Sequence, residues 1–575
     1  MRSALFTVMC AALLVTPGAH ANPSGEVQAA MEAMSAWNMG TARRAVRRVE
    51  QQAPGAPTTL LVKGQYLFFD GRYDEATDLL ERAAAALGQD GGFAAHLAAV
   101  SRAVGDETRG YASRHTSGGH FVIRWAPGVD EVLVPWMDRV LEAAWETLTV
   151  HFGQVPEAPV RVEIYPRAET LAAVTSLTED EIRQSGTIAL CKYNRLMITS
   201  PRDLVYGYPW ADTLAHEFIH MLITQRSQNT VPIWLHEGLA KYYEVLWRGA
   251  DPQLDVASET LLARALSNDT LISFDAMSPS MAKLPSQDAT ATAFAEVHTV
   301  VDFLRGRHGD DLPRALTSAM ASGKSDREAV AELAKMPWSR FEPAWRSHLK
   351  RRGLKTHKER FDTRLLFKGH DTEADELALL KGDKARQFVW LGDRLTLRER
   401  HLAAVKEYRK SAAAVGEAVP LIQAKLGRGL LALNRVEEAI EELNKALDRY
   451  PEYMLIRLYL GEAWWRQGDM EQALGHLEAA VLIKQQGRAL DPGGIGKALA
   501  EKARSMGVAF ERRRIEGLVP EAEGRWRLET DSGPIPARRV VLALGAWSGA
   551  LLRPLGPRVP LEAERGYHLV FRDPG

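Results

Sequence analysis

Two His-Glu pairs stand close together in LAHEFIHMLITQRSQNTVPIWLHEGLAKYYE, residues 214–244. His216 and His220 are four residues apart, so on a helix they stand one turn above another on one face. Two imidazoles so placed can bind one zinc ion, while Glu217, about 100° round the helix, can reach a water at that ion. A catalytic zinc needs a third protein ligand and an open position. Glu237 is the candidate: Gln225 to Val231 is polar and turn-like, and Pro232 can start a second helix returning antiparallel to the first. Glu244, two turns beyond Glu237 on the same face, can orient a ligand histidine. The competing reading is two incidental pairs on ordinary core helices, which requires all these groups to be placed by coincidence.

Such a site needs a rigid frame. HFVIRW (120–125), VRVEIYP (160–166) and RLMITSP (195–201) have strand character, with β-branched and aromatic residues bounded by turn signals. VPWMDRVLEAAWETLTVHF lies between the first two as a helical stretch, and helices dominate from Trp210 onward. Strands followed by helices predict an α+β domain over residues 110–353. Leu214, Phe218 and Leu222 supply the apolar face that anchors the His216 helix. Residues 104–118 and 354–384, charged and weakly periodic, are expected to be linkers.

A different pattern flanks this domain. Gly427, Ala439, Leu443 and Ala446 are followed 34 positions later by Gly461, Ala473, Leu477 and Ala480. Gly392, Ala404, Tyr408 and Ser411, and near the N-terminus Gly64, Ala76, Leu80 and Ala83, keep the same internal offsets. Small residues let paired helices approach and larger ones fill between them. These segments resemble tetratricopeptide (TPR) repeats, over residues 22–104 and 385–484. Such helix pairs stack into a concave surface that holds a peptide or protein partner; the alternative is that they pack against the central domain.

Lys and Arg number 72 against 73 Asp and Glu, so there is no electrostatic case for nucleic acid or an anionic membrane surface. Residues 1–21 (MRSALFTVMCAALLVTPGAHA) read as a signal peptide, with Arg2, an apolar core and a small-x-small site ending at Ala21. This predicts export to a periplasmic or extracellular space, and no later run suggests a transmembrane segment. Cleavage leaves Cys191 alone, which excludes an internal disulfide and any zinc site needing two cysteines. Cys191 itself reads as a packed strand residue rather than a nucleophile.

HEFIH followed by WLHEGLAKYYE resembles the gluzincin metallopeptidases, and more closely the peptidase MA-like proteins with their P-x-WLxEGLA. The resemblance runs over about residues 118–350 and includes GTIALCKYNRLMITSP and FAEVHTVVDFLRGRHGDDLPRAL. It implies a zincin-like fold, Zn2+ held by His216, His220 and Glu237, and Glu217 as general base in hydrolysis of a peptide or protein substrate. It also implies that the strand before the His216 helix holds the peptide extended. Where related sequences carry a tyrosine-bearing segment, this chain has Phe294 and His298. Candidates for the oxyanion donor are therefore His298, Tyr243 and Tyr242. His236 replaces a common asparagine or serine and reads as a neighbour, not a ligand.

The last segment, 488–575, has another character. DPGG (491–494), GAWS (545–548) and RGYHL (565–569) resemble an interior piece of FAD-dependent oxidoreductases of the D-amino-acid dehydrogenase type. That family's G-x-G-x-x-G after a strand is missing, since Gly494-Ile495-Gly496 follows Asp491-Pro492. The segment is expected to be an incomplete α/β fragment, from a fusion or a misjoined reading frame, that binds no FAD. Taken together these patterns predict an exported zinc peptidase between TPR segments. A TPR scaffold with a weakly active zinc domain is the alternative, and a flavin oxidoreductase the second.

Overall fold

The computed structural model describes residues 25–356 (save 279, 282 and 283), 367, 376, 377, 380, 382–483 (save 417, 448 and 449), 515–520 and 525–537. The expected signal peptide, the DPGG, GAWS and RGYHL motifs and most of the 354–384 linker lie outside these residues. The chain divides into two units, residues 1–487 and 488–575. The first is mostly helical around one small mixed sheet.

It begins with five helices, α1 (Gly25–Ser35), α2 (Met39–Gln52), α3 (Pro57–Asp70), α4 (Tyr73–Leu87) and α5 (Gly92–Glu107). Next come β1 (Ala112–His115), β2 (Phe121–Trp125), α6 (Val134–Phe152), β3 (Val160–Tyr165), α7 (Ala168–Ala173), α8 (Glu179–Ser185), β4 (Ala189–Lys192) and β5 (Arg195–Thr199). Seven helices follow: α9 (Trp210–Ser227), α10 (Ile233–Tyr243), α11 (Val256–Asn268), α12 (Gln287–His308), α13 (Leu312–Ala321), α14 (Asp326–Leu333) and α15 (Trp338–Arg352).

The sheet order is β1-β2-β3-β5-β4, parallel in the middle and antiparallel at both edges. The three expected strands are β2, β3 and β5. β4 contains Cys191, which was expected on a strand. The edge strand β1 was not expected, and it lies inside 104–118, which is thus no linker: α5 runs into it and β1 occupies its end. The reason is physical. Ala112–His115 reads ASRH and is mostly exposed, so it carries no apolar alternation; pairing with β2 holds it, with only Ala112 packed against the core.

Alternation along the central strands sends side chains to two cores. Phe121, Ile123, Val162, Ile164, Leu196 and Ile198 face α6 and α9 in one apolar cluster. Tyr165 and Met197 face the other way, into a cluster shared with α1–α5. The N-terminal helices therefore cover the back of the sheet, the second of the two arrangements open from sequence. A buried ionic group sits at that junction. Glu163 takes hydrogen bonds from Tyr73 (2.9 Å), Tyr165 (2.6 Å) and Arg124 (2.8 Å), and lies 3.2 Å from Arg195. Burial opposes its ionisation, yet Arg195, Arg161 and Arg124 hold the carboxyl below its usual range.

Beyond the central domain stand three helix pairs, α16 (Asp383–Leu397) with α17 (His401–Val415), α18 (Pro420–Ala432) with α19 (Val436–Leu447), and α20 (Met454–Gln467) with α21 (Met470–Ile483). Gly427 and Gly461 make the close approach possible: a Cβ on either would come within 2.6 Å of Leu443 or Leu477. Gly64 meets Leu80, and Gly392 meets Tyr408, in the same relation. The last pairs dock on the loop before α9, where Tyr206 packs 4.9 Å from Tyr450 and 5.9 Å from Tyr453, ring to ring. In the second unit, β6 (Ile515–Pro520), β7 (Trp526–Thr530) and β8 (Ile535–Ala537) form an antiparallel sheet.

Candidate metal centre

Helix α9 is buried nearly all round. Leu214, Phe218 and Leu222 have no exposed surface, and the Phe218 ring lies 5.2 Å from Phe121 of β2 and 5.8 Å from Trp145 of α6. The helix stops where Gln228 and Asn229 turn left-handed, with φ of 56° and 60°, a conformation asparagine tolerates better than most residues. Pro232 then caps α10. Trp234 pins the new helix by donating to Asp326 at 2.9 Å. Gly238 lets α10 lie against α12, since a Cβ there would be 3.1 Å from the Val297 carbonyl oxygen.

This turn brings the expected groups together. Nε2 of His216 lies 3.2 Å, and Nε2 of His220 3.4 Å, from the same Oε2 of Glu237. The two rings are nearly perpendicular, 4.7 Å apart. On their far sides, Nδ1 of His216 meets Glu244 at 2.8 Å and Nδ1 of His220 meets Nδ1 of His236 at 2.6 Å. Lys241 in turn holds Glu244 at 2.5 Å. Both histidines thus aim one nitrogen inward and have the other fixed, the arrangement metal-ligating imidazoles adopt.

Electrostatics agrees with a charged, buried cluster. Burial would lower the His216 imidazole, but its bonds to Glu237 and Glu244 carry it up to about 10. Burial likewise opposes ionisation of Glu237, and the two histidines override it, keeping the carboxyl well below its usual range. Two imidazole nitrogens and a carboxylate oxygen converge at one point, so the donor set fits a divalent metal. Glu217 is raised by burial, against the pull of His220 and His216 and the Cys191 amide, and its Oε2 has no hydrogen-bond partner. One ligand atom each from His216, Glu217 and His220 also fall within 4.8 Å of one another. Glu237 places one oxygen against both inward nitrogens as well.

The other candidates are elsewhere. Tyr243 is buried against Phe152 (5.6 Å) and His151 (6.1 Å), with its hydroxyl unpartnered. Tyr242 donates to Asp302 at 3.1 Å and accepts from Arg305 at 3.3 Å. His298 on α12 is buried 5.1 Å from the Tyr242 ring, and burial lowers it to about 4. Five and six residues beyond Glu237 on one helix, the two tyrosines point well off its face. None of the three makes a hydrogen bond to His216, His220 or Glu237 among the described contacts. Phe294 flanks the cluster, 6.4 Å from His216. Cys191 lies on the edge strand β4 beside Glu217, which it influences through its amide. Sequence reasoning missed the roles of Lys241 and His236; Lys241, three residues before Glu244, was legible as a same-face partner.

A family model for the Peptidase MA superfamily matches residues 142–351, which include α9, α10 and every residue of the cluster. The central segment carries a Peptidase MA superfamily domain. A second model, FAD dependent oxidoreductase, matches residues 364–575, beginning well before the expected boundary at 488 and spanning the three helix pairs. The D-amino-acid oxidase of Bradyrhizobium diazoefficiens is 35% identical over 94 residues, 16% of this chain and 22% of that protein. The D-amino acid dehydrogenase of Allorhizobium ampelinum is 44% identical over 74 residues, 13% of this chain and 18% of that protein. The chain thus spans about a fifth of the length of these curated relatives. A chain from the crystal structure of the APC/C hetero-tetramer Cut9-Hcn1 aligns over 87% of this chain and 99% of its own length. At 13% identity and a TM-score of 0.18 it does not bear on the fold. Among the described residues no helix is long and apolar enough to cross a membrane.

Proposed function

We propose that the chain is an exported zinc-dependent peptidase, with TPR-type helix pairs that bind a protein or peptide partner. The observation that carries this is the convergence of His216 Nε2 and His220 Nε2 on one Glu237 oxygen, inside the peptidase MA domain. His216, His220 and Glu237 would hold the ion, a borderline acid suited to two imidazoles and a carboxylate. Zinc bound there supplies Lewis acidity toward a carbonyl and toward water. Glu217, with a free buried oxygen, takes the proton of the attacking water and passes it to the leaving amine. β4, an antiparallel edge strand beside α9, offers its backbone to an extended substrate. Export rests on the sequence of residues 1–21.

The test is zinc content and proteolysis of the full chain, wild type beside Glu217→Gln. Both are expected to hold one zinc, and only wild type to cleave. A zinc-free wild type would refute the site, and equal cleavage the role of Glu217. A zinc-binding scaffold with little activity is the alternative, favoured by the placement of Tyr243 and His298 away from the cluster. A flavin oxidoreductase is a competing reading, favoured by the family match over 364–575. Flavin absorbance in the purified full chain, followed by D-amino-acid oxidation, would establish it.

A further inference from the structure

His216 and His220 are held from behind by different chemistry. His216 gives its Nδ1 to a carboxylate, Glu244. His220 gives its Nδ1 to a second imidazole, His236, at 2.6 Å, and the far nitrogen of His236 lies 3.3 Å from the Thr224 hydroxyl. Thr224 is one turn beyond His220 on α9 and is buried, so the three groups close a small ring between the two helices. Only one of two facing Nδ1 atoms can carry the proton in such a bond. If His220 is to keep a lone pair on Nε2, its proton must be on Nδ1 and His236 must accept it. The remaining proton of neutral His236 then sits on Nε2, where the Thr224 oxygen accepts it.

We propose that His236 is the positioning residue of His220, fixing its tautomer and ring plane through the chain His220–His236–Thr224. This deepens the zinc reading and rests on it. His236 does for the second histidine what Glu244 does for the first, but without bringing a second negative charge behind the ligands. It holds no metal itself, because its Nδ1 is spent on His220 and its Nε2 on Thr224.

The experiment measures zinc affinity of the full chain by competition with a chromogenic chelator, with thermal unfolding of the apo protein as a check on folding. His236→Leu removes the acceptor and should weaken zinc binding by about 10–100-fold. His236→Asn restores an acceptor through its side-chain oxygen and should bind zinc close to wild type. Thr224→Val, which removes only the far link, should fall between them. A folded His236→Leu protein with wild-type affinity would overturn the proposal, and so would an Asn variant as weak as Leu. Absence of zinc binding by the wild type would overturn the site reading itself, a different outcome from equal binding by all four proteins.

Discussion

Glu244 reaches back across 28 residues to hold Nδ1 of His216 at 2.8 Å. The contact joins the end of α10 to the middle of α9, and Lys241 steadies it from the other side. It makes the antiparallel pair a single unit, because Glu237 and Glu244 grip opposite nitrogens of one imidazole.

That geometry predicts the effect of Glu244→Gln. The amide keeps the shape but loses the charge that makes Glu244 a strong acceptor for a ligand histidine. Zinc affinity should fall by about 10–100-fold while the fold persists. Chelator competition on purified protein measures it, and undiminished affinity would show that His216 needs no partner behind it.

The junction of the N-terminal helices and the sheet predicts a stability effect far from the cluster. Glu163 is fully buried with Arg195, and Tyr73 of α4 donates to it. Removing one partner leaves an uncompensated charge, so Glu163→Gln should cost about 3–5 kcal/mol. Urea unfolding would measure it. A cost below about 1 kcal/mol would mean that α1–α5 are not held through this group.

Much of this was legible in the sequence where chemistry and period coincide. The spacing of His216 and His220, the polar turn and Pro232 were enough to anticipate two antiparallel helices meeting at Glu237. The offset from Gly427 to Leu443 likewise gave the contact inside a helix pair. What stayed hidden depends on tertiary placement. β1 has no apolar pattern and exists through its pairing. His236 read as a bystander because only the turn at Gln228 and Asn229 sets its ring against His220. Tyr243 was chosen for residue type and nearness to Glu237 in sequence, and His298 for its place in the segment where related sequences carry a tyrosine; packing against α6 and Tyr242 took them away from the cluster.

The repeated glycines make a sharper prediction. At Gly461 a methyl group would come 2.6 Å from the Leu477 side chain, closer than real contacts allow. Gly461→Ala should gain from the better helix former but lose more to overpacking, for a net cost of about 1–2 kcal/mol. The double variant Gly461→Ala with Leu477→Ala should recover part of it. Thermal unfolding of both proteins decides, and a stabilised single variant would show that α20 and α21 do not approach this closely.

A last prediction concerns pH and a carboxyl outside the cluster. Glu296 on α12 has no exposed surface, accepts the Ile272 amide at 2.8 Å through one oxygen, and leaves the other unpartnered. Burial pushes it up to about 8, against the amide and Arg346. The folded state therefore keeps a proton that the unfolded chain releases above its ordinary carboxylate range. The associated stability is fully present below about pH 4.5 and is lost progressively as pH rises toward 8, at about 1.4 kcal/mol per pH unit at most. Glu296→Gln, which cannot ionise, should match wild type near pH 4.5 and exceed it increasingly above that, by roughly 2–3 kcal/mol at pH 7. Melting curves of the two proteins across this range test the sign as well as the size. A gap that widened toward acid instead would mean that Glu296 is ionised in the fold and paired with Arg346.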